Sequence, residues 1–349
     1  MSVFIQSAKQ ISAQKPLSDE WFDYPVYYEE PRVATINPDF APYFSPLMAR
    51  RLCTLQKRAV ALSRLTLQEA SVEMPDAIIC GTGLGCINNV EKFLYSIMKN
   101  GEKFLQPTYF IQSTHNILSS TIAIEMKCRG YNNTYVHRGA SFENALLDAI
   151  MQFEQGRVQN VLLGGFDELT DDYYKFLKRT GIWDFKTGES PKKKCFASEV
   201  AVSMLLGKTK NEHTICELND IELLHKPTHG QVQETLDTIL AKAGCALSDI
   251  DAVLTGLNTH AENDKIYHHA IDRFFGGIPV LQYKHLFGES FSSSAIGVYV
   301  ALTCLRKGYA PAILSADKDV DVNRVKRILV YNHYRNNSHS FILLSSCSK

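Results

Sequence analysis

Ser141 is the residue best placed to act as a nucleophile, in the stretch "TYVHRGASFENALLDAI" at positions 134–150. His137 stands four residues before it and His115 further upstream, so either imidazole is a candidate base. A serine hydroxyl activated by an imidazole at a helix start would carry out acyl transfer or hydrolysis. The same hydroxyl also suits an N-cap, which needs no chemistry at all. Thr134, Tyr135 and Val136 favour an extended chain, and His137, Arg138, Gly139 and Ala140 then make a turn. Glu143 suits the first turn of a helix. Phe142, Leu146, Ala149, Ile150 and Phe153 recur at helical spacing until Gly156 ends the run. Such a strand–turn–helix elbow points the first helical N–H groups at a reacting atom, yet its tip here is Gly139-Ala140.

Other chemically capable residues are scattered. The nine cysteines are odd in number and have no CxxC spacing, so neither a disulfide framework nor a structural zinc site is expected. Cys80, Cys128 and Cys304 lie among apolar residues and fit as small core side chains. The eleven histidines form no HExxH or other metal spacing, and the pair His268-His269 suits a solvated helix face. "GTGLG" follows a strand but lacks the spacing of a dinucleotide fingerprint, so a tight turn that needs glycine is the reading. The basic run "SPKKKCF" at 190–196 fits a solvated loop, or a contact with an acidic partner.

The elements that must position these residues alternate strand and helix. In the first half they are a long amphipathic helix at 47–70, a buried strand at 76–85 and a helix at 113–130. That last helix is expected to be capped by Ser113 or Thr114 and stopped by Gly130. Buried strands follow at 158–170 and 195–207, and the polar "KTKNEH" at 208–213 makes a join. The second half repeats the theme, with helices around 233–244, 264–276 and 291–308, a strand at 251–258 and two strands around a polar turn at 327–346. Alternation of this kind argues for α/β layers. Two units are expected, 1–208 and 209–349.

Lys+Arg and Asp+Glu both number 37, and that balance argues against a nucleic-acid partner, whose binding rests on phosphate neutralisation. No apolar stretch is long enough to span a membrane, and the first residues lack a signal peptide's apolar run. A cytoplasmic location is expected.

In order along nearly the whole chain, the motifs resemble those of the β-ketoacyl–acyl carrier protein synthases of the thiolase superfamily. "PDFAPYFSPLMARRLCTLQKRAVALSRLTLQEA" resembles the early region with its double-arginine helix, and "GTGLGCINNVEKFL" resembles the first glycine turn. "CRGYNNTYVHRGASFENALLDAIMQFEQGRVQNVLLGGFDE" is similar to the segment carrying the nucleophile helix through to "AGGxE". "CFASEVAVSMLL" resembles the "GEGAxxLVLE" strand with Glu199 at its glutamate, and "PVLQYKHLFGESFSSSAIGVYVAL" resembles "KxxxGHxxGAAGxxE". The resemblance implies an α/β fold of thiolase type, five layers α-β-α-β-α from two similar halves, and a dimer.

A working member of that family uses a cysteine and two histidines. Counting back from Gly164-Gly165 without a gap puts the cysteine position on Gly139. The first histidine's turn is here "LTGLNTHAEND", with Thr255 or Gly256 in its place and His260 displaced; the second histidine is Glu289. Lys284 and Glu199 are retained, and the late glycine-rich loop has become the glycine-free "NHYRNNSH" at 332–339. What the resemblance implies is a subunit of chain-length-factor type, without chemistry of its own, from a type II polyketide or aryl polyene system. Its expected partner is a catalytic ketosynthase, with an acyl carrier protein engaged indirectly, and no metal or organic cofactor is implied. Phe110, Ile111, His115, Asn116 and Ile117 from the 109–120 segment, with Tyr135 and His137 from the strand expected to pair across the dimer axis, are the candidate tunnel or interface residues. Ordinary core packing is the other reading for Phe110, Ile111, His115 and Ile117. A free-standing acyltransferase or hydrolase using Ser141 is the alternative function.

Overall fold

The structure, a computed structural model, describes residues 2–185, 193–316 and 321–347. Its ten strands are β1 (Val3–Ile11), β2 (Ala77–Gly81), β3 (Tyr131–Tyr135), β4 (Asn160–Asp167), β5 (Val200–Gly207), β6 (Cys216–His225), β7 (Ala252–Thr255), β8 (Val280–Gln282), β9 (Arg327–Tyr334) and β10 (Ser338–Ser346). Six helices lie in the first half: α1 (Pro46–Arg51), α2 (Thr54–Glu69), α3 (Ile87–Asn100), α4 (Pro107–Gln112), α5 (Ile117–Met126) and α6 (Ser141–Glu154). After them come α7 (Asp171–Arg179), α8 (His229–Lys242), α9 (Ala261–Phe274), α10 (Lys284–Phe287) and α11 (Ser293–Lys307).

The strands run β3-β2-β4-β5-β1-β6-β10-β9-β7-β8. The first five, renumbered by position in their half, stand in the order 3-2-4-5-1; the last five, read from the far edge inward, stand in the same order. Three residue pairs, Val3 to Ile5 against Leu218 to Cys216, join β1 to β6.

Strand side chains alternate between faces, and that alternation builds the layers. In β4, Val161 and Leu163 enter a central apolar cluster with α6 and α11, whereas Leu162 and Phe166 face α2 and α5. In β9, Ile328 and Val330 enter the same central cluster, whereas Leu329 and Tyr331 face α8 and α9. Helices α6 and α11 are therefore sandwiched between the two sets of strands, with helices on both outer faces. Helix α11 can sit there because Ser293, Ala295, Gly297 and Ala301 keep it slender; a Cβ on Gly297 would meet the Tyr283 ring at 3.0 Å.

The expected helix at 47–70 is two helices. Leu52 and Cys53 are extended, Ser45 caps α1 with Pro46 at its first position, and the Cys53 N–H donates to Gln56 Oε1 at the start of α2. The helix expected at 113–130 runs only over α5. Asn116 precedes it, Ser113 closes the preceding α4 instead of capping, and Lys127 stops it in the left-handed conformation at φ 55°. Cys80 and Cys304 are buried as expected, while Cys128 is half-buried and points its thiol at the Pro75 carbonyl. His268 and His269 are exposed on α9. Ser190, Pro191 and Lys192 of the basic run lie outside the described residues; Lys194, just after them, donates to the Glu29 carbonyl. Among the described residues no helix is long and apolar enough to cross a membrane.

Candidate functional site

The expected elbow is present. Strand β3 ends at Tyr135, Arg138 takes the left-handed conformation at φ 53°, and α6 begins at Ser141. A non-glycine residue there stores about 1–2 kcal/mol of backbone strain. Ser141 does not cap α6, whose N-cap is Ala140 with no side-chain hydrogen bond. Its hydroxyl is fully buried, accepts the His137 N–H at 2.8 Å, and lies 2.7 and 2.9 Å from the carbonyls of Arg138 and Thr82. The serine thus ties the elbow to the end of β2. Among the described residues neither imidazole bonds to it; His137 is exposed, and His115 packs across Gly85, its pKa lowered by burial and by the charge of Arg138. Among the described residues the Ser141 hydroxyl is engaged by backbone groups and by no side-chain base.

"GTGLG" makes a cradle, but for a carboxylate of the same chain. The N–H groups of Gly83 and Leu84 donate to Asp167 at 2.9 and 2.7 Å, and the hydroxyls of Thr82 and Ser292 join them. Burial pushes this carboxyl up to about 6, against the pull of those four donors. Asp167 therefore fastens the glycine turn, the end of β4 and the start of α11 to one point. Glu199 is bound away from the cavity described next, in an ion pair with Arg58 at 2.9 Å, and accepts the Leu169 N–H.

Two of the three positions read from motifs, Gly139 and Glu289, line one small cavity together with Glu143, Lys284, Asn332 and Tyr334 among others, and Gly256 lies behind its wall residues Asn332, Tyr267 and Lys284. At Gly139 an added Cβ would lie 2.5 Å from Tyr334 Cδ2 and 2.8 Å from Cγ. The tyrosine ring fills the space that a side chain on the elbow would need. At Gly256 an added Cβ would lie 2.4 Å from Asn332 Oδ1 and Tyr267 Oη and 3.1 Å from Lys284 Nζ. Glu289 accepts from Lys284 Nζ at 2.7 Å, from Asn258 Nδ2 at 2.6 Å and from Ser293 Oγ at 2.9 Å. Burial works against the Lys284 ammonium, but Glu289, Tyr283 and Tyr267 more than offset it and hold its pKa above the ordinary lysine value.

The cavity leaves water only about 30 Å³, room for a molecule or two and not for a thioester. Its walls are polar: among the described residues Ser290 Oγ and Asn332 Nδ2 are buried with no side-chain or backbone partner. Buried water is the ordinary answer to such a wall. Burial pushes the Glu143 carboxyl up to about 7, its own N–H, Ser294, Lys284 and Ser340 pulling the other way.

His260 stays out of this cavity. Its Nδ1 accepts the Asn263 N–H at the start of α9 and its Nε2 lies 3.1 Å from the Gly181 carbonyl. His333 does line the cavity, 3.0 Å from the Asn263 carbonyl, and burial pushes its pKa down to about 3. The glycine-free turn is made by Arg335 and Asn336 at φ 50° and 54°, which carries Tyr334 toward the elbow. Tyr334 and Asn332 lie in the loop named as the counterpart of the glycine-rich one, but their side chains were not singled out, and Glu143 and Tyr267 were not read as cavity residues.

The candidate interface residues lie elsewhere. Phe110 and Ile111 are each 58% exposed, so core packing is excluded for them. His115, Asn116 and His137 are exposed, and Ile117 and Tyr135 half-buried. Among the described residues strand β3 is an edge strand, paired only with β2.

The fold and these positions define a ketosynthase-type protein of the thiolase class, and the chain belongs to the beta-ketoacyl synthase family: residues 28–264 match that family's N-terminal domain. No curated protein matches it in sequence. Among solved structures it is similar to the ishigamide ketosynthase/chain length factor, at 16% identity and a TM-score of 0.83 over 99% of both chains. It is also similar to the ketosynthase ApeO in complex with its chain length factor ApeC from Xenorhabdus doucetiae, at 13% identity and 0.79 over 99% of this chain and 98% of that one. A third, AntDE:AntF, is a type II PKS acyl-carrier protein in complex with its ketosynthase bound to the hexaketide, at 15% identity and 0.80 over 99% of both chains. At such identities the likeness shows the fold.

Proposed function

We propose that this chain is a non-catalytic ketosynthase-like subunit of chain-length-factor type, which pairs with an active β-ketoacyl synthase and shapes the tunnel its growing chain enters. The observation that carries the reading is the Tyr334 ring in the space of a side chain at position 139. A thiol there would have nowhere to sit, and a covalent acyl group even less. The Lys284–Glu289 ion pair supports the reading from the other side of the cavity. A carboxylate at that place repels an enolate oxygen, where a neutral hydrogen-bond donor would stabilise it.

Pairing is supported by the edge strand β3 and by exposed apolar side chains on neighbouring elements, Phe110 and Ile111 on α4, Ile124 on α5 and Val136 after β3. Exposed strand edges and apolar patches are what proteins cover with partners. The likeness to two ketosynthase and chain-length-factor structures supports a ketosynthase as the proposed partner; the proposed system is of polyketide or aryl polyene type, with the acyl carrier protein docking mainly on that partner.

Co-expression with candidate ketosynthases, purification through a tag on this chain and native mass measurement test the pairing. A one-to-one heterodimer is the expected result. A homodimer in the presence of every candidate would remove the reading.

A further inference from the structure

We propose that Cys53 and Cys86 form an oxidisable thiol pair, in which a peroxide converts Cys53 to a sulfenic acid and Cys86 resolves it to an intramolecular disulfide. The proposal is independent of the function above. The two sulfurs lie 3.5 Å apart although the residues are 33 positions apart in the chain. A disulfide needs about 2.05 Å between them, so the thiols already face each other with about 1.5 Å to close. Cys53 stands immediately before α2 and Cys86 immediately before α3, so two helix starts point at one pair of sulfurs.

The environment divides the roles. Cys53 is half-buried and Cys86 fully buried, so the first oxidant meets Cys53. The Cys86 thiol, hydrogen-bonded to Cys53, lowers the Cys53 pKa; burial opposes this, and the N–H groups of Gln56 and Leu55 favour the thiolate. The Cys86 pKa is raised by the same hydrogen bond, by burial and by the nearby carboxylates of Glu168 and Asp167. A thiolate at a helix start, beside a donor, is the nucleophilic form of cysteine. Cys80, Cys195, Cys216 and Cys304 are all buried with raised pKa values, and among the described residues none has such a partner thiol in hydrogen-bond contact.

The chemistry balances with a peroxide as oxidant. The Cys53 thiolate attacks one peroxide oxygen; the O–O bond breaks, an S–O bond forms, and the departing hydroxide takes a proton to become water. The Cys86 sulfur then attacks Cys53 Sγ, the S–O bond breaks, and the second water leaves with the Cys86 proton. The bond would tie the start of α2 to the start of α3, whose far end leads through the exposed Met98 and Phe104 to α4. Asn89 in α3 already holds this region through Gln112, whose amide donates to the Arg51 carbonyl. Oxidation would therefore fix the root of the α3–α4 arm.

Treating the purified full chain with hydrogen peroxide, alkylating the remaining thiols and mapping peptides without reduction tests this. The expected result is the loss of two of the nine free thiols, a Cys53–Cys86 linked peptide, and recovery of both thiols with a dithiol reductant. In Cys86→Ser the sulfenic acid cannot be resolved, and a dimedone adduct on Cys53 is expected. All nine thiols surviving peroxide, a disulfide mapped to another pair such as Cys216 and Cys347, or no dimedone adduct on Cys53 in Cys86→Ser would overturn the proposal.

Discussion

Gly139 and Tyr334 behave as one unit, since the ring of one occupies the side-chain space of the other. Gly139→Cys should destabilise by about 1–3 kcal/mol, the usual cost of overpacking, read from urea unfolding. In a Tyr334→Ala background most of that cost should vanish, and a coupling near zero would show that the two sites do not share space. Lys284 and Glu289 are buried together, so removing one partner in Glu289→Ala should cost about 3–5 kcal/mol, and Lys284→Met with Glu289→Leu distinctly less. Glu143 gives a pH prediction. Its folded pKa of about 7 lies above the ordinary glutamate value, so the folded state binds more protons between about pH 4.3 and 7. Its contribution is full below that window and is lost as pH rises through about 7. Glu143→Gln should therefore gain stability over the parent as pH rises from 5 to 8, on the order of 3 kcal/mol. A constant difference across that range would contradict the raised pKa. That positions 139, 256 and 289 come near one another was legible because motif spacing reports backbone position. What filled them was not, because Tyr334, Asn332 and Tyr267 arrive from distant strands and helices.

Elements were legible where periodicity and punctuation agreed. Helix α6 follows its 3.6-residue apolar spacing to the stop at Gly156, and the glycine turn after β2 was read as a turn. Helices α1 and α2 were read as one because apolar spacing continues across Leu52 and Cys53, and cysteine is not a residue from which a helix start is inferred. Strand β1 was not read as a strand because "VFIQSAKQI" carries Gln6, Ser7 and Gln10, all buried at the middle of the sheet where the two halves meet. Ser141 shows the limit at the level of a single element: an N-cap on sequence, it is a tie between elements in the fold. Ser141→Ala removes the acceptor of the His137 N–H and the donor to Thr82 or Arg138, and should cost about 1–3 kcal/mol. Phe110→Asp and Ile111→Asp lie on exposed positions of α4, and each should change the isolated chain's stability by no more than about 0.5 kcal/mol. The same substitutions should abolish co-purification with a ketosynthase partner; retained pairing would move the proposed interface away from α4.

The whole molecule repeats one five-strand order twice and places helices α6 and α11 between the repeats. That arrangement was expected from the order of motifs, whereas alternation of strand and helix alone called only for α/β layers. The two halves meet at the cavity: Gly139 and Glu143 come from the first, and Lys284, Glu289, Asn332 and Tyr334 from the second. The cavity is formed by contacts between the halves within a ketosynthase-type fold and leaves a space of about 30 Å³. The most direct test of the central claim is to incubate the purified complex with acyl-loaded carrier protein and weigh each chain intact. The account predicts an acyl adduct on the partner ketosynthase alone, with elongation of malonyl units unaffected by substitution of Ser141 that leaves the complex assembled. An acyl adduct on this chain would contradict it.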